Sequence, residues 1–222
     1  MNSEELLIPT KIIKSKRKSI SITIKNNGDF IVRAPLRCSE DAIFKFINQK
    51  REWIIKKRLE QLSSPFSKLT FDKPEKVIIL GKEIDIILVN KARVKLYEDI
   101  IEIPNNKPKE KLISFLKNYA RKYILERVKL IASLFNFQYS NISISSAKTN
   151  WGSCSYNNRL HFTYKLIMCP EDVIDYIVLH ELCHTKVKNH SDKFWLLVEA
   201  CNPNYKNQEQ WQKKNRGIID II

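Results

Sequence analysis

The chain has four histidines, and three of them, His180, His184 and His190, fall within eleven consecutive positions. The stretch Asp175-Tyr176-Ile177-Val178-Leu179-His180-Glu181-Leu182-Cys183-His184 contains the pattern His-Glu-x-x-His, and Asn189-His190-Ser191 follows. On an α-helix, residues four apart project from one face about one turn apart, so His180 and His184 reach a single metal ion. Glu181 lies about 100° round the helix, where it flanks the ion without binding it and acts on a water held there. That chemistry is metal-assisted hydrolysis.

His-Glu-x-x-His alone occurs by chance, and a lone helical histidine is usually a satisfied core or surface residue. Here Val173, Ile174, Ile177, Val178 and Leu179 make the preceding helix apolar around most of its circumference, which predicts burial. Buried polar groups without partners are costly, so two histidines and a glutamate on such a helix need a reason. His190 supplies a third ligand just past the helix end. Its spacing from His180 is that of the metzincin peptidases, but Val187 stands where those have glycine, and the methionines, Met1 and Met168, both lie upstream. The other zincin solution is a glutamate from a following helix, Glu199, which ranks behind His190 because imidazole suits zinc. Zinc is the expected ion, with another divalent metal as the alternative. Cys183, on the flank opposite Glu181, reads as a packed thiol ahead of a neighbour of the metal, and His161 as structural or a weak surface group.

The elements that must hold these residues follow from periodicity. Residues 12–24 and 29–34 read as two strands joined by a turn at Asn26-Asn27-Gly28-Asp29. Ser39 caps a helix running to about residue 62, with Trp53 in the core. Ser63-Ser64-Pro65 opens a linker to about Pro74. Val77–Leu80 and Ile84–Val89 form a hairpin across Gly81-Lys82-Glu83, and Arg93–Ile103 adds strand with a turn near Glu98-Asp99. A long helix from Lys109 to about Asn136 packs on the motif helix. Residues 141–164 return to strand around Trp151-Gly152-Ser153-Cys154-Ser155. Pro170 suits the first turn of the motif helix, with Glu171 and Asp172 at its positive end. Ser191 caps a last helix that Pro203 ends, and the tail packs along the surface. No internal repeat and no glycine-rich phosphate loop is found.

At 222 residues and 43% hydrophobic content the chain can bury a substantial core. No apolar run approaches a membrane helix, and no signal-peptide pattern follows Met1-Asn2-Ser3-Glu4-Glu5. Five scattered cysteines without a Cys-x-x-Cys pair argue for free thiols and a cytoplasmic location. The net charge of +15, with Lys50, Arg51, Lys56, Lys57 and Arg58 among the first-half cations, allows nucleic-acid binding, against a lysine-rich solvated surface as the plainer account.

The order of these pieces resembles the YgjP-like metallopeptidase family, a group related to the SprT-like zinc proteins. The resemblance rests on Trp151-Gly152-Ser153-Cys154-Ser155, on the helix ending in His180-Glu181-Leu182-Cys183-His184, and on Asn189-His190-Ser191 with Phe194-Trp195. Arg17-Lys18-Ser19-Ile20, Val32-Arg33-Ala34-Pro35 and Trp53-Ile54 extend it over nearly the whole chain. It implies that His180, His184 and His190 are the metal ligands and Glu181 the general base. The family's usual arginine before the tryptophan is here Asn150.

The expected fold is α+β and zincin-like: a twisted, mainly antiparallel sheet with a helical C-terminal half carrying the motif helix. Residues 1–222 are expected to form one domain, with an N-terminal accessory lobe at 1–65 and a catalytic core at about 105–203. Trp151, Gly152, Ser153 and Cys154 are expected at the cleft; the plainer account is a structural turn. The leading function is a zinc metallopeptidase with a peptide substrate. Behind it stand a nucleoside-triphosphate pyrophosphatase acting on UTP, implied by the resemblance, and a nucleic-acid-binding domain with a structural metal.

Overall fold

A computed structural model describes residues 5–25, 29–62, 69–147, 150–215 and 217–218. The chain divides into two compact units, Met1–Ser67 and Lys68–Ile222.

In the first unit, β1 (Lys11–Ser15), β2 (Ser21–Ile24) and β3 (Phe30–Pro35) form a sheet in the order β1-β3-β2. The expected strand over 12–24 is thus two strands. The expected turn at Asn26-Asn27-Gly28 lies outside the described residues. Phe30, Val32 and Ala34 are buried with Ile43, Ile47 and Ile54 of the helices that follow, α1 (Glu40–Gln49) and α2 (Arg51–Leu62). The Ser39 hydroxyl accepts from Ala42 N, as expected of an N-cap. The single helix expected to residue 62 is broken at Lys50, which caps α1. The break moves Trp53 off the buried stripe of α2, which runs through Ile54 and Arg58, and leaves it 48% exposed instead of in the core. Arg58 likewise is no surface cation. It is buried, and its Nη1 donates to Leu6 O at 2.9 Å and more distantly to Glu5 O and Ile8 O, closing the N-terminal turn.

The second unit begins with β4 (Lys76–Ile79) and β5 (Lys82–Val89), the expected hairpin. β6 (Lys95–Leu96) and β7 (Ile100–Pro104) complete a sheet in the order β4-β5-β7-β6. Leu80 and Gly81 both have positive φ, 51° and 77°, the combination a two-residue hairpin turn needs. This turn has a further task. Leu80 N bonds Ile167 O at 2.7 Å, and a Cβ on Gly81 would lie 2.9 Å from Pro170 Cα. Only glycine lets the turn reach the start of the motif helix.

Helix α3 (Pro108–Leu134) buries Leu112, Leu116, Ala120, Ile124, Val128 and Ile131, a face of helical period. It packs on α4 (Glu171–Cys183), the motif helix, as the stripe predicts. Arg127 holds Asp175 through two bonds of 2.6 and 2.5 Å, and Tyr123 donates to Glu171 at 2.7 Å. Between them run β8 (Asn141–Ser145), β9 (Gly152–Cys154) and β10 (Arg159–Thr163), in the order β8-β10-β9. A buried 3-10 turn, Tyr164–Met168, leads into α4. Two helices close the chain: α5 (Asp192–Cys201) and α6 (Tyr205–Lys214), the latter in the expected surface tail.

The architecture is mixed α+β, but one mainly antiparallel sheet is not what forms. Among the described residues there are three small mixed sheets. In each, an earlier strand pairs parallel with the strand two later, and the intervening strand pairs antiparallel on the other side: β1-β3-β2, β5-β7-β6 and β8-β10-β9. Alternation along a strand tells which face is buried, not which neighbour it meets.

Candidate metal centre

α4 is buried on nearly every side, from Val173 to Cys183, as its apolar composition requires. Its last turn carries His180 and Glu181, and His184 is its C-cap. The chain then turns through residues 185–190 and enters α5 at Ser191. Ser191 occupies the N-cap position, but its side chain makes no capping bond; its carbonyl receives Phe194 N and Trp195 N.

This path brings ring nitrogens of His180, His184 and His190 within 4.8 Å of one another. His190 Nε2 lies 3.0 Å from His180 Nε2 and 3.2 Å from His184 Nε2. A tetrahedral ion with bonds of about 2.0–2.1 Å sets its ligand nitrogens about 3.3–3.4 Å apart, so the spacing fits.

His184 Nδ1 lies 3.0 Å from Val187 O. A carbonyl only accepts, so Nδ1 carries the proton and Nε2 of neutral His184 is a bare lone pair. If His190 Nε2 is also bare, two lone pairs face each other. If it is protonated, either two N–H groups oppose at His180 or the proton of His180 sits on Nδ1. That atom is buried without a hydrogen-bond partner among the described residues. No set of three neutral tautomers satisfies every nitrogen. A shared cation would take up all three Nε2 lone pairs, and the buried His180 Nδ1 would still lack a hydrogen-bond partner among the described residues.

Burial, together with the neighbouring His184 and His190, lowers the His180 imidazole to about 3. His184 is lowered as well, by burial first, against the bond to Val187. Both effects favour the neutral, ligating form. Glu181 is outside the three-histidine group and buried, and burial pushes its carboxyl up to about 8. Its position is set by β9: a Cβ on Gly152 would lie 2.7 Å from Glu181 Cγ and 2.9 Å from Oε1. The glycine of Trp151-Gly152-Ser153-Cys154 leaves the room that the glutamate fills.

A scan of family models matches residues 18–215 to the YgjP-like metallopeptidase domain. The chain belongs to the YgjP-like family. Among solved structures, this YgjP-like chain is similar to the metallopeptidase zymogen of Methanocaldococcus jannaschii jannalysin, 28% identical, over 41% of this chain and 94% of that one, with a TM-score of 0.38. It is also similar to the metallopeptidase zymogen of Pyrococcus abyssi abylysin, 21% identical, over 41% and 93%, with a TM-score of 0.37. No curated protein matches it.

Around the centre of the YgjP-like domain, the remaining sequence candidates separate. Glu199 is exposed on α5 and is not part of the histidine group. Trp151 is buried and its carbonyl accepts from Thr163 N, which makes it a core residue. Ser153 faces outward on β9, and Asn150 is exposed. Cys154 is half-buried; burial first, and then the Glu181 charge, raise its thiol pKa against the opposing pull of Lys188. Cys183 is fully buried and pushed up to about 12, a packed thiol. All five cysteines are free. His161 meets Ser143 on the exposed side of the sheet. Among the described residues no helix is long and apolar enough to cross a membrane.

Aromatic rings support the ligands in a way that sequence reading missed. Phe194, fully buried, stacks on His184 at 4.4 Å and meets His180 and His190 edge-on at 4.9 and 4.8 Å. Trp195 lies 5.7 Å from His190 and stacks on Tyr205 of α6, which in turn stacks on Tyr176 of α4. The only sequence signal was the Phe194-Trp195 pair.

Proposed function

We propose that this chain is a zinc metallopeptidase in which His180, His184 and His190 hold the ion and Glu181 is the general base. The convergence of three imidazole nitrogens beside a buried glutamate carries this reading. The family match supports the peptidase class. In this reading the fold is zincin-like, with α4 as the motif helix. Residues 1–222 act as one domain, with the lobe at 1–65 accessory and the core at about 105–203 catalytic.

When bound, zinc supplies Lewis acidity, polarising a carbonyl and lowering the pKa of water to about 7. The three neutral imidazoles orient the site, and Val187 O fixes the tautomer of His184. Glu181, neutralised by burial alone, becomes a carboxylate beside a cation. One of its oxygens then accepts the proton of the attacking water and passes it to the leaving amine. Packing against β9 at Gly152 restrains that carboxylate and excludes water behind it.

The test is Glu181→Gln, assayed on peptides, unfolded protein and nucleoside triphosphates with a chelator control. The variant is expected to keep its metal and lose peptide hydrolysis. Retained peptide hydrolysis with metal bound refutes the mechanism. Metal-dependent turnover of UTP without any of peptide overturns the substrate class.

A further inference from the structure

Lys188 stands two residues before His190 on the loop after α4. Its Nζ lies 2.9 Å from Ser155 O, 2.5 Å from Asn158 Oδ1 and 3.7 Å from Cys154 Sγ. An ammonium carries three protons, and one stretch of chain offers three acceptors to it. No carboxylate pairs with it among the described residues. Two of the acceptors belong to the turn joining β9 to β10, and the third, Cys154, is the last residue of β9. Ser155 O also accepts Asn158 N at 3.0 Å, and Asn158 has φ 56°, a conformation asparagine tolerates better than most residues. The turn therefore presents the backbone carbonyl of Ser155 and the side-chain amide oxygen of Asn158 to the same cation.

This turn closes the strand that bounds Glu181. Gly152, on which the glutamate side chain packs, is three residues before Ser155. One ammonium thus fastens the wall behind the glutamate to the loop that delivers the third imidazole. We propose that Lys188 is a positioning residue that locks the β9–β10 turn to the His190 loop and so fixes Glu181 and His190 relative to each other. This rests on the reading that the three imidazoles bind a metal. A lysine bonded to the surface for no purpose predicts that its loss is silent at both ends.

The experiment uses the full chain as wild type, Lys188→Met and Asn158→Gly. The glycine keeps the left-handed backbone of the turn and removes only the acceptor. Zinc affinity is measured by competition with a chromophoric chelator, and the ligand field by the absorption of the cobalt(II)-substituted protein. Hydrogen exchange is followed on the metal-free proteins, so the lock is tested even where metal is not bound. Each variant is expected to lose at least about 10-fold in zinc affinity, the scale seen when partners that orient metal ligands are removed. Its cobalt spectrum should shift, and exchange should rise together over 152–163 and 184–190. The double variant should lose little more than either single one. Unchanged affinity and spectrum overturn the proposal, even if the turn exchanges faster. Unchanged exchange in metal-free Lys188→Met overturns it independently. A wild type that binds no zinc or cobalt refutes the metal reading, while the exchange result still decides the lock.

Discussion

Gly152→Ala tests the join between the Trp151–Ser155 loop and the motif helix at one atom. The added methyl would lie 2.7 Å from Glu181 Cγ, 2.9 Å from Oε1 and 3.1 Å from Cδ. Ordinary carbon contacts are about 3.5–4.0 Å, so the overlap is close to 1 Å. Glu181 cannot swing clear cheaply, because its Cγ is near the backbone of a buried helix. Either β9 retreats or the carboxylate moves. Overpacking of this kind costs roughly 1–3 kcal/mol. For a chain of this size that lowers Tm by roughly 2–12 °C. A carboxylate displaced by about 1 Å loses on the order of 100-fold in kcat. The assay is peptide hydrolysis by zinc-loaded protein, with thermal unfolding and metal content measured on the same sample. Wild-type kcat and Tm in Gly152→Ala would show that β9 does not confine Glu181, and the account of the glycine would fail.

Phe194→Ala should remove the ring on which all three imidazoles rest, destabilising the protein by about 3–5 kcal/mol in urea titration and weakening zinc binding. Glu75 gives a pH test away from the metal. Burial acts to raise its pKa, but bonds from Thr70 N, Phe71 N and the Thr70 hydroxyl outweigh this and hold it below its ordinary value of 4.5. A depressed folded pKa contributes stability that is present above the unfolded value and is lost as pH falls through the folded value. The urea-midpoint difference between wild type and Glu75→Gln should therefore shrink from pH 6 to pH 3; a constant difference would contradict it. Chelation should abolish activity while far-ultraviolet circular dichroism stays near the native signal, because α4 is held by α3 and its apolar neighbours rather than by an ion. Unfolding that tracks metal loss would make the site structural.

The parts of this molecule that were legible from sequence are those where chemistry and periodicity coincide. The helix bearing His180, Glu181 and His184 announced itself through its apolar run and motif, and the stripe from Leu112 to Ile131 predicted its partner. Gly81 was readable as a turn, though not its contact with Pro170. Strand pairing was illegible, since the parallel partnership of β8 with β10 depends on a crossover that no local pattern encodes. α6 carries few apolar residues and is tied to the core through Tyr205. Its low apolar content gave no signal. Lys188 was one of 39 lysines and arginines, distinguishable only by the turn it meets in space. Trp53 was misplaced because no glycine or proline marks the break at Lys50.

The three mixed sheets share a consequence for how the chain comes off the ribosome. In β1-β3-β2, β5-β7-β6 and β8-β10-β9 the central strand is synthesised last of its three. The two strands made before it are not each other's neighbours, so each keeps an edge open until the third arrives, although β5 already has β4 on its other side. For the last sheet, β8 and β9 stay open-edged until Arg159–Thr163 emerges. Only then does Gly152 acquire the frame that holds it against a glutamate some thirty residues further on. Domains form as their last contacts become available during synthesis. The contact between Gly152 and Glu181 therefore forms only after β10 and α4 have both been made.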